Sequence, residues 1–568
     1  MAVTGTVDPQ TTGAAARRPG LWRLDFWNLA ALLIAALVAM PVLSVIWLAL
    51  HPSDDIWPHL VDTVLLHYVV TTALLMLGVG IGTMLIGTGA AWLVTMYGFR
   101  GRRVFEWALL LPLAMPGYIV AYVYTDLLDY AGPVQIALRD LFGWASPKDY
   151  WFPEIRSLPG AIIVLTLTLY PYVYLLVRNA FLEQSVSLFE ASRTLGEGRW
   201  RSFRRIALPM AWPAIAVGVI LALMETLNDY GTVEFFAVNS FTVGIVNVWT
   251  NMNSTSGAAQ MATSLLVVVA LLLWLERRAR RRRRFHGTTF QRRALARYPL
   301  PGLLNPLATA ACLLPLLFGF LVPAAILANY AVDHYQITLD QDYFGYLANS
   351  LSVSVMAAAI AIVVGLFLGY AGRLGRGPTV RIASRIASAG YAVPGAVLAV
   401  GLIVPLAGMD NALDGWARAT FGVSTGLILS GTIAALTFGY VVRFLALSLG
   451  SVEAGLERIP GNLDDAAKLL GHGAGTILRR VHLPLLRGSI LTAAVIVFVD
   501  AMKELPMTVL LRPFNFETLA TFVHQYASDE LLAECSFAAL TIVAAGMLPV
   551  ILLSRAIRRT RSRTSVGA

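Results

Sequence analysis

Uncharged apolar runs of about 20 residues recur along the whole chain, each long enough to cross a hydrocarbon core as a helix. LAALLIAALVAMPVLSVIWLAL (29–50) and SVSVMAAAIAIVVGLFLGYAG (352–372) are two of them. Inside a bilayer each backbone N–H and C=O needs a partner within the protein, which makes such runs helical. The composition agrees, with 57% hydrophobic and 13% charged residues and a mean hydropathy of +0.68. The expected fold class is all-α, a polytopic membrane protein of about twelve transmembrane helices. The runs lie near 27–50, 66–96, 105–128, 158–182, 210–229 and 258–276, then near 303–330, 346–371, 386–409, 422–448, 486–505 and 534–554. The first run is longer than a leader's apolar core and reads as a retained span.

Basic residues set the orientation. With the N-terminus inside, 34 of the 43 Lys and Arg fall in cytoplasmic segments, 5 fall outside and four lie in or at spans. That split is a positive-inside pattern and puts both termini in the cytoplasm. The net charge of +10 is therefore a topology signal. The run RRARRRRRFHGTTFQRRALARYP (277–299) follows a span directly, which suits a linker near anionic lipid and gives no reason to expect nucleic acid. Cys312 and Cys535 sit in apolar runs without metal or disulfide spacing and read as packing residues.

The chain contains itself twice. At an offset of 275 residues, Leu188, Ala191, Leu195, Gly196, Arg204, Arg205, Leu208 and Pro209 meet Leu463, Ala466, Leu470, Gly471, Arg479, Arg480, Leu483 and Pro484. Upstream, AMPG (114–117) answers AVPG (392–395). Two homologous six-span halves follow. The expected divisions are a tail (1–26), a first half (27–276), a basic linker (277–302), a second half (303–555) and a tail (556–568).

The repeated polar loop is built as a docking element. Leu188, Ala191, Ser192 and Leu195, like Leu463, Ala466, Ala467 and Leu470, fall at i, i+3, i+4 and i+7, one face of a short helix. Glu190 and Asp465 are expected in its first turn, where the helix dipole favours a carboxylate. Gly196 and Gly471 are expected to end it in a left-handed or close-approach position. A second, basic helical piece should stop at Pro209 or Pro484, opening the next span. Two such elements on the cytoplasmic side fit a two-fold symmetric partner better than a membrane anchor.

Glu190-Ala191-Ser192 with Gly196, and Asp465-Ala466-Ala467 with Gly471, resemble the EAA loops of ABC importer permeases. Ser192 and Asp465 depart mildly from that pattern. The resemblance spans roughly 66–275 and 346–554. It implies that each loop is a coupling helix seated in a cleft of an ATP-binding subunit. The chain carries no GxxxxGK[ST], so ATP would be used by a separate subunit, with no cofactor on this chain and no enzymatic activity of its own. The implied partners are two ATP-binding subunits and a periplasmic or lipid-anchored binding protein. The implied location is the bacterial inner membrane.

For the transported species, the ionisable residues inside spans matter, because they are costly there and line paths or pair with one another. Glu225 meets Asp500 and Asp229 meets Glu504 at the same offset, each pair spaced i, i+4 near a span end. They read either as a static set with Lys503 or as an oxygen-rich vestibule for a hard cation, with Tyr118, Tyr122, Tyr124, Asp126 and Tyr230 adding oxygen. The stretches 500–534 and 225–249 resemble those of fused ferric iron importer permeases, which implies Fe(III). Fused permeases for thiamine or 2-aminoethylphosphonate share the architecture. An ion-gradient-driven transporter would explain the repeat but not the paired loops, and no HExxH or Ser/His/Asp cluster points to a membrane enzyme.

Overall fold

The computed structural model describes residues 26–184, 194, 196, 198–283, 298–340, 342–375 and 377–565. The first half opens with α1 (Phe26–Leu50) and α2 (Trp57–Met96), followed by α3 (Arg102–Ala108), α4 (Gly117–Leu128) and α5 (Pro133–Phe142). Next come α6 (Leu158–Glu183), α7 (Trp200–Asn228), α8 (Gly231–Phe235), α9 (Phe241–Thr250) and α10 (Thr255–Arg283). The second half starts with α11 (Leu304–Leu339), α12 (Tyr343–Arg373), α13 (Pro378–Ala387), α14 (Gly395–Phe421) and α15 (Ile433–Glu457). It ends with α16 (Gly461–Leu469), α17 (Ala474–Met502), α18 (Pro506–Leu511), α19 (Leu519–Ser528) and α20 (Leu532–Ser565). Among the described residues, eleven helices are long and apolar enough to span a membrane. One further pair, Arg102–Ala114 with Gly117–Phe142, is bent by 89° and makes twelve if counted as a span.

The halves repeat in three dimensions. α2, α6 and α7 pack on one another as α12, α15 and α17 do. Close approach needs small residues: a Cβ on Gly87 or Gly218 would come within 3 Å of Val173 atoms of α6. The leading helices cross over, with α1 against α13 and α14, and α11 against α4, α6 and α20. The halves are thus interlocked. Leu33 and Leu77, about 60% exposed, lie on the outward faces of α1 and α2, as a lipid-facing surface requires.

Several sequence expectations need correction, most of them at prolines. The runs 105–128 and 386–409 are not single helices. Each has a 3₁₀ turn (Leu111–Ala114, Gly390–Ala392) and then a break at Pro116 or Pro394, whose ψ is 141° or 143°. Proline disfavours helix in the residue before it and lacks the N–H to continue one. The matched AMPG and AVPG are these breaks. The run 422–448 becomes helical only at Ile433, because Asp410 binds the N–H groups of Ile428, Leu429 and Ser430 in an irregular loop. Conversely, the basic pieces before Pro209 and Pro484 do not stop there. α7 and α17 run through both prolines by way of π turns, Phe203–Ala207 and Leu478–His482. The wider i→i+5 turn makes room for the proline ring against the preceding carbonyls.

Candidate functional site

The second repeated loop is a helix–turn. α16 ends in a Schellman motif: the N–H of Gly471 donates to Lys468 C=O (2.9 Å) and that of His472 to Ala467 C=O (3.0 Å). Gly471 supplies the required left-handed residue at φ 79°, and a Cβ there would meet nothing within 4 Å, so conformation and not crowding selects glycine. Gly196 has the same conformation at φ 76°. Glu190, Ala191, Ser192 and Leu195 lie outside the described residues.

The predicted stripe is split between contact and display. Ala467 is buried against the protein, whereas Leu463, Ala466 and Leu470 are exposed, Leu470 by 76% and its neighbour Leu469 by 89%. An apolar tip is therefore presented away from the chain. Asp465 is not in the first turn, because the helix begins at Gly461 after Pro460. The first-turn acid is Asp464, which sequence reasoning missed. Asp465 is exposed and reaches Lys468 at 3.5 Å. Burial pushes the Asp464 carboxyl up, but hydrogen bonds from Arg373 and His482 outweigh it and hold the group below the usual carboxylate range.

α7 and α17 each carry a repeated loop at one end and the predicted acids at the other, about 40 Å away along 29 residues. There the structure brings all four acids to one cavity of about 130 Å³ between the halves. Glu225 accepts a hydrogen bond from Tyr391 Oη at 2.6 Å, across the two halves. Asp500 pairs with Lys503 Nζ at 2.8 Å. The other two acids cap short helices. Asp229 accepts from the N–H groups of Thr232 (3.0 Å) and Val233 (3.3 Å) in α8. Glu504 accepts from the N–H groups of Met507 (3.1 Å) and Thr508 (3.2 Å) in α18, and from Arg443 Nη1 at 3.2 Å. The four acids thus form one inner pair and one capping pair.

Sequence reasoning missed Arg443, which lies within a span and also donates to Asn228 Oδ1 at 2.6 Å in the other half. Its Nε and the hydroxyl of Tyr118, both on cavity-wall residues, are buried and have no hydrogen-bond partner among the described residues. Tyr172, Tyr230 and Tyr391 also line it, whereas Tyr122, Tyr124 and Asp126 do not. Tyr124 donates to Phe318 C=O at 2.5 Å, and Asp126 accepts from Tyr330 at 2.5 Å.

Next to Tyr230, which lines the cavity, a layer of contacts crosses between the halves. Tyr122 Oη lies 2.6 Å from His524 Nδ1 and packs edge-on against Phe235; Tyr230, from the cavity wall, also meets His524. Beyond it Arg156 covers the Phe235 ring and pairs with Glu530 at 2.9 Å. Among the described residues, no three His, Cys, Asp or Glu side chains are placed to hold a metal ion.

Two interlocked homologous helical halves, with a polar cavity between them and a protruding helix at the opposite end of a cavity-lining span, define a membrane permease. The sequence profile of the binding-protein-dependent transport system inner membrane component matches residues 83–285 and 361–563, and the chain belongs to that family, as an ABC importer permease with both homologous units on one chain. It is 25% identical over 497 residues to the Fe(3+)-transport system permease protein FbpB 2 of Haemophilus influenzae, covering 85% of this chain and 88% of that one. It is 24% identical over 497 residues to the probable ABC transporter permease protein y4fN of Sinorhizobium fredii, covering 82% and 83%. A 149-residue stretch, 26% of this chain and 62% of the relative, is 32% identical to the molybdenum transport system permease protein ModB of Escherichia coli.

Proposed function

We propose that this permease carries Fe(III), handed over by an extracytoplasmic binding protein, through the cavity between its halves. The observation that carries the reading is the charge of the cavity wall: four carboxylates stand against one guanidinium and one ammonium. An acid excess attracts a cation and repels an oxyanion such as those of molybdenum or sulfur. The full-length likeness to an iron permease supports the same reading, whereas the likeness to the molybdenum permease covers a single stretch. Hard oxygen atoms suit a ferric ion. The lack of a chelating cluster among the described residues suits a path, because a conducted ion must also leave.

In this reading the loops face the cytoplasm with both termini, and the Tyr122–His524 layer faces outward. α16 and its counterpart around Gly196 seat in two ATP-binding subunits, the exposed Leu469 and Leu470 entering an apolar cleft. One permease chain then serves one pair of ATP-binding subunits, and ATP is used only there. Thiamine is a second candidate, favoured by the four tyrosines that line the cavity with the acids, a wall suited to an aromatic cation. The deciding experiment is uptake of ⁵⁵Fe(III) into proteoliposomes holding the whole importer, with thiamine and molybdate as competitors. ATP-dependent iron uptake insensitive to both supports the proposal; thiamine or molybdate uptake without iron uptake overturns it.

A further inference from the structure

A charged network stands where the second repeated loop meets the spans. Arg373, at the end of α12, donates from Nε to Asp464 Oδ2 (2.9 Å), from Nη1 to Leu456 C=O (2.6 Å) and from Nη2 to Ile459 C=O (2.9 Å). It therefore covers carbonyls at the end of α15 while holding the first turn of α16. Asp464 Oδ1 lies 2.7 Å from Nε2 of His482, a fully buried ring in the π turn of α17. Tyr370, one turn before Arg373, donates to Ala474 C=O at 2.6 Å and packs edge-on against His482. Four helices thus meet in one network of charge-assisted bonds, the strong kind.

At the offset of 275 the first half does not repeat Arg373, Asp464 and His482. TMYG (95–98) meets YAGR (370–373), so Gly98 stands at the place of Arg373. Phe189 stands at the place of Asp464 and Ala207 at the place of His482. Among the described residues, the Gln184 amide at the end of α6 donates to Ala207 C=O at 3.0 Å. The buried charges of the first half are grouped differently, with Arg178 paired to Glu106 and Arg102 3.9 Å from it. The neighbouring corner is aromatic, with Trp92 against Phe181 and Phe203.

We propose that Arg373, Asp464 and His482 form a transmission joint in the second half, which makes α12, α15 and α17 move as one with α16 when an ATP-binding subunit displaces it. Asp464 and Arg373 are positioning residues. His482 also ties the joint to the cavity, because α17 holds Asp500 at its other end. The proposal rests on reading α16 as a coupling helix, and its test separates the two.

A nitroxide at Leu469→Cys in the full-length permease, reconstituted in nanodiscs, reports the hold on α16 without any partner or substrate. Asp464→Ala and Arg373→Gln should shorten the label's correlation time by about threefold, and Gln184→Ala should leave it unchanged. In the complete importer, Asp464→Ala and Arg373→Gln should keep the ATP-binding subunits attached and hydrolysing ATP. The amount of ⁵⁵Fe(III) carried per ATP should fall about tenfold, within the usual range of coupling energies. Should Asp464→Ala fail to fold, His482→Leu gives the same test, and His482→Gln, which keeps a donor for Asp464, should restore coupling. An unchanged label in Asp464→Ala and Arg373→Gln, or a freed label with iron carried per ATP unchanged, overturns the joint. Wild-type permease that binds no ATP-binding subunit overturns instead the reading of α16, while the label spectra still judge the network itself.

Discussion

Asp229 and Glu504 occupy matched positions in the two halves, yet they should respond very differently to neutralisation. Glu504→Gln keeps the shape of the side chain but leaves the Arg443 guanidinium without its counter-charge. Both side chains are buried, 5% and 3% exposed. Breaking a buried pair by neutralising one partner costs about 3–5 kcal/mol, because the remaining charge stays buried and uncompensated. Asp229 has no cation within ion-pair distance; it caps α8 through Thr232 and Val233. Asparagine is as good a cap as aspartate, so Asp229→Asn should cost under about 0.5 kcal/mol. The difference, about 3 kcal/mol, is readable as a shift in the SDS mole fraction that half-unfolds the permease in mixed micelles. Arg443→Met combined with Glu504→Gln should recover part of the loss, a coupling of more than about 1 kcal/mol in the double-mutant cycle. Equal shifts for Glu504→Gln and Asp229→Asn, or strict additivity with Arg443→Met, would refute the argument that the ion pair separates the two positions.

Other outcomes follow from the same geometry. Glu225→Gln with Asp500→Asn removes the two acids not used as caps and should abolish ⁵⁵Fe(III) uptake per folded molecule; unchanged uptake would count against a cation path. Gly471→Leu forces a branched residue into a left-handed conformation at about 1–2 kcal/mol and should uncouple ATP hydrolysis from uptake while the protein still inserts, with insertion read by membrane fractionation. For Asp464, the folded-state pKa is lowered. Its contribution is therefore complete above the unfolded value near 4 and disappears as pH falls through the folded value, so the label on Leu469 should gain mobility only below about pH 4. Mobility gained between pH 5 and 7 would contradict that sign.

Much of this was legible in the sequence because it depends on long-range regularity. Apolar run length gave the spans, and the repeat gave the two halves. The offset that joins Glu225 to Asp500 also predicted that these acids would meet, as they do at one cavity. What stayed hidden depends on single bonds between distant elements. Nothing local marks Tyr391 as the partner of Glu225, 166 residues away, or Arg443 as a cavity residue, because a lone arginine in an apolar run carries no address. Prolines misled in both directions. Pro116 and Pro394 interrupt helices that apolar periodicity reads as continuous, while Pro209 and Pro484 are absorbed by π turns that only backbone geometry reveals. Asp465 was taken for the first-turn acid because the motif drew attention to it, although the helix begins early enough to place Asp464 there.

Fusion of the halves explains why a repeat can carry such unequal chemistry. In a symmetric pair of separate chains each cavity residue occurs twice, so a buried arginine would face its own copy across the axis, a repulsion strengthened by the low dielectric. Here the counterpart of Arg443 is Thr168, which satisfies its hydroxyl on the carbonyls of Val164 and Leu165 in its own helix. The counterpart of Lys503 is Asn228, whose carbonyl oxygen accepts from Arg443. Both cations on the cavity wall thus come from the second half, and the first half supplies neutral groups that receive them. The acids are shared equally while the cations are not, which leaves Glu225 and Asp229 as the side of the cavity without a positive neighbour in ion-pair contact. On the proposed iron reading, a cation entering between the halves meets its least compensated negative charge on the first half. The charged network that holds α16 lies on the second. On the proposed reading, the first half receives the substrate and the second anchors the coupling helix, an asymmetry that a pair of identical chains could not carry.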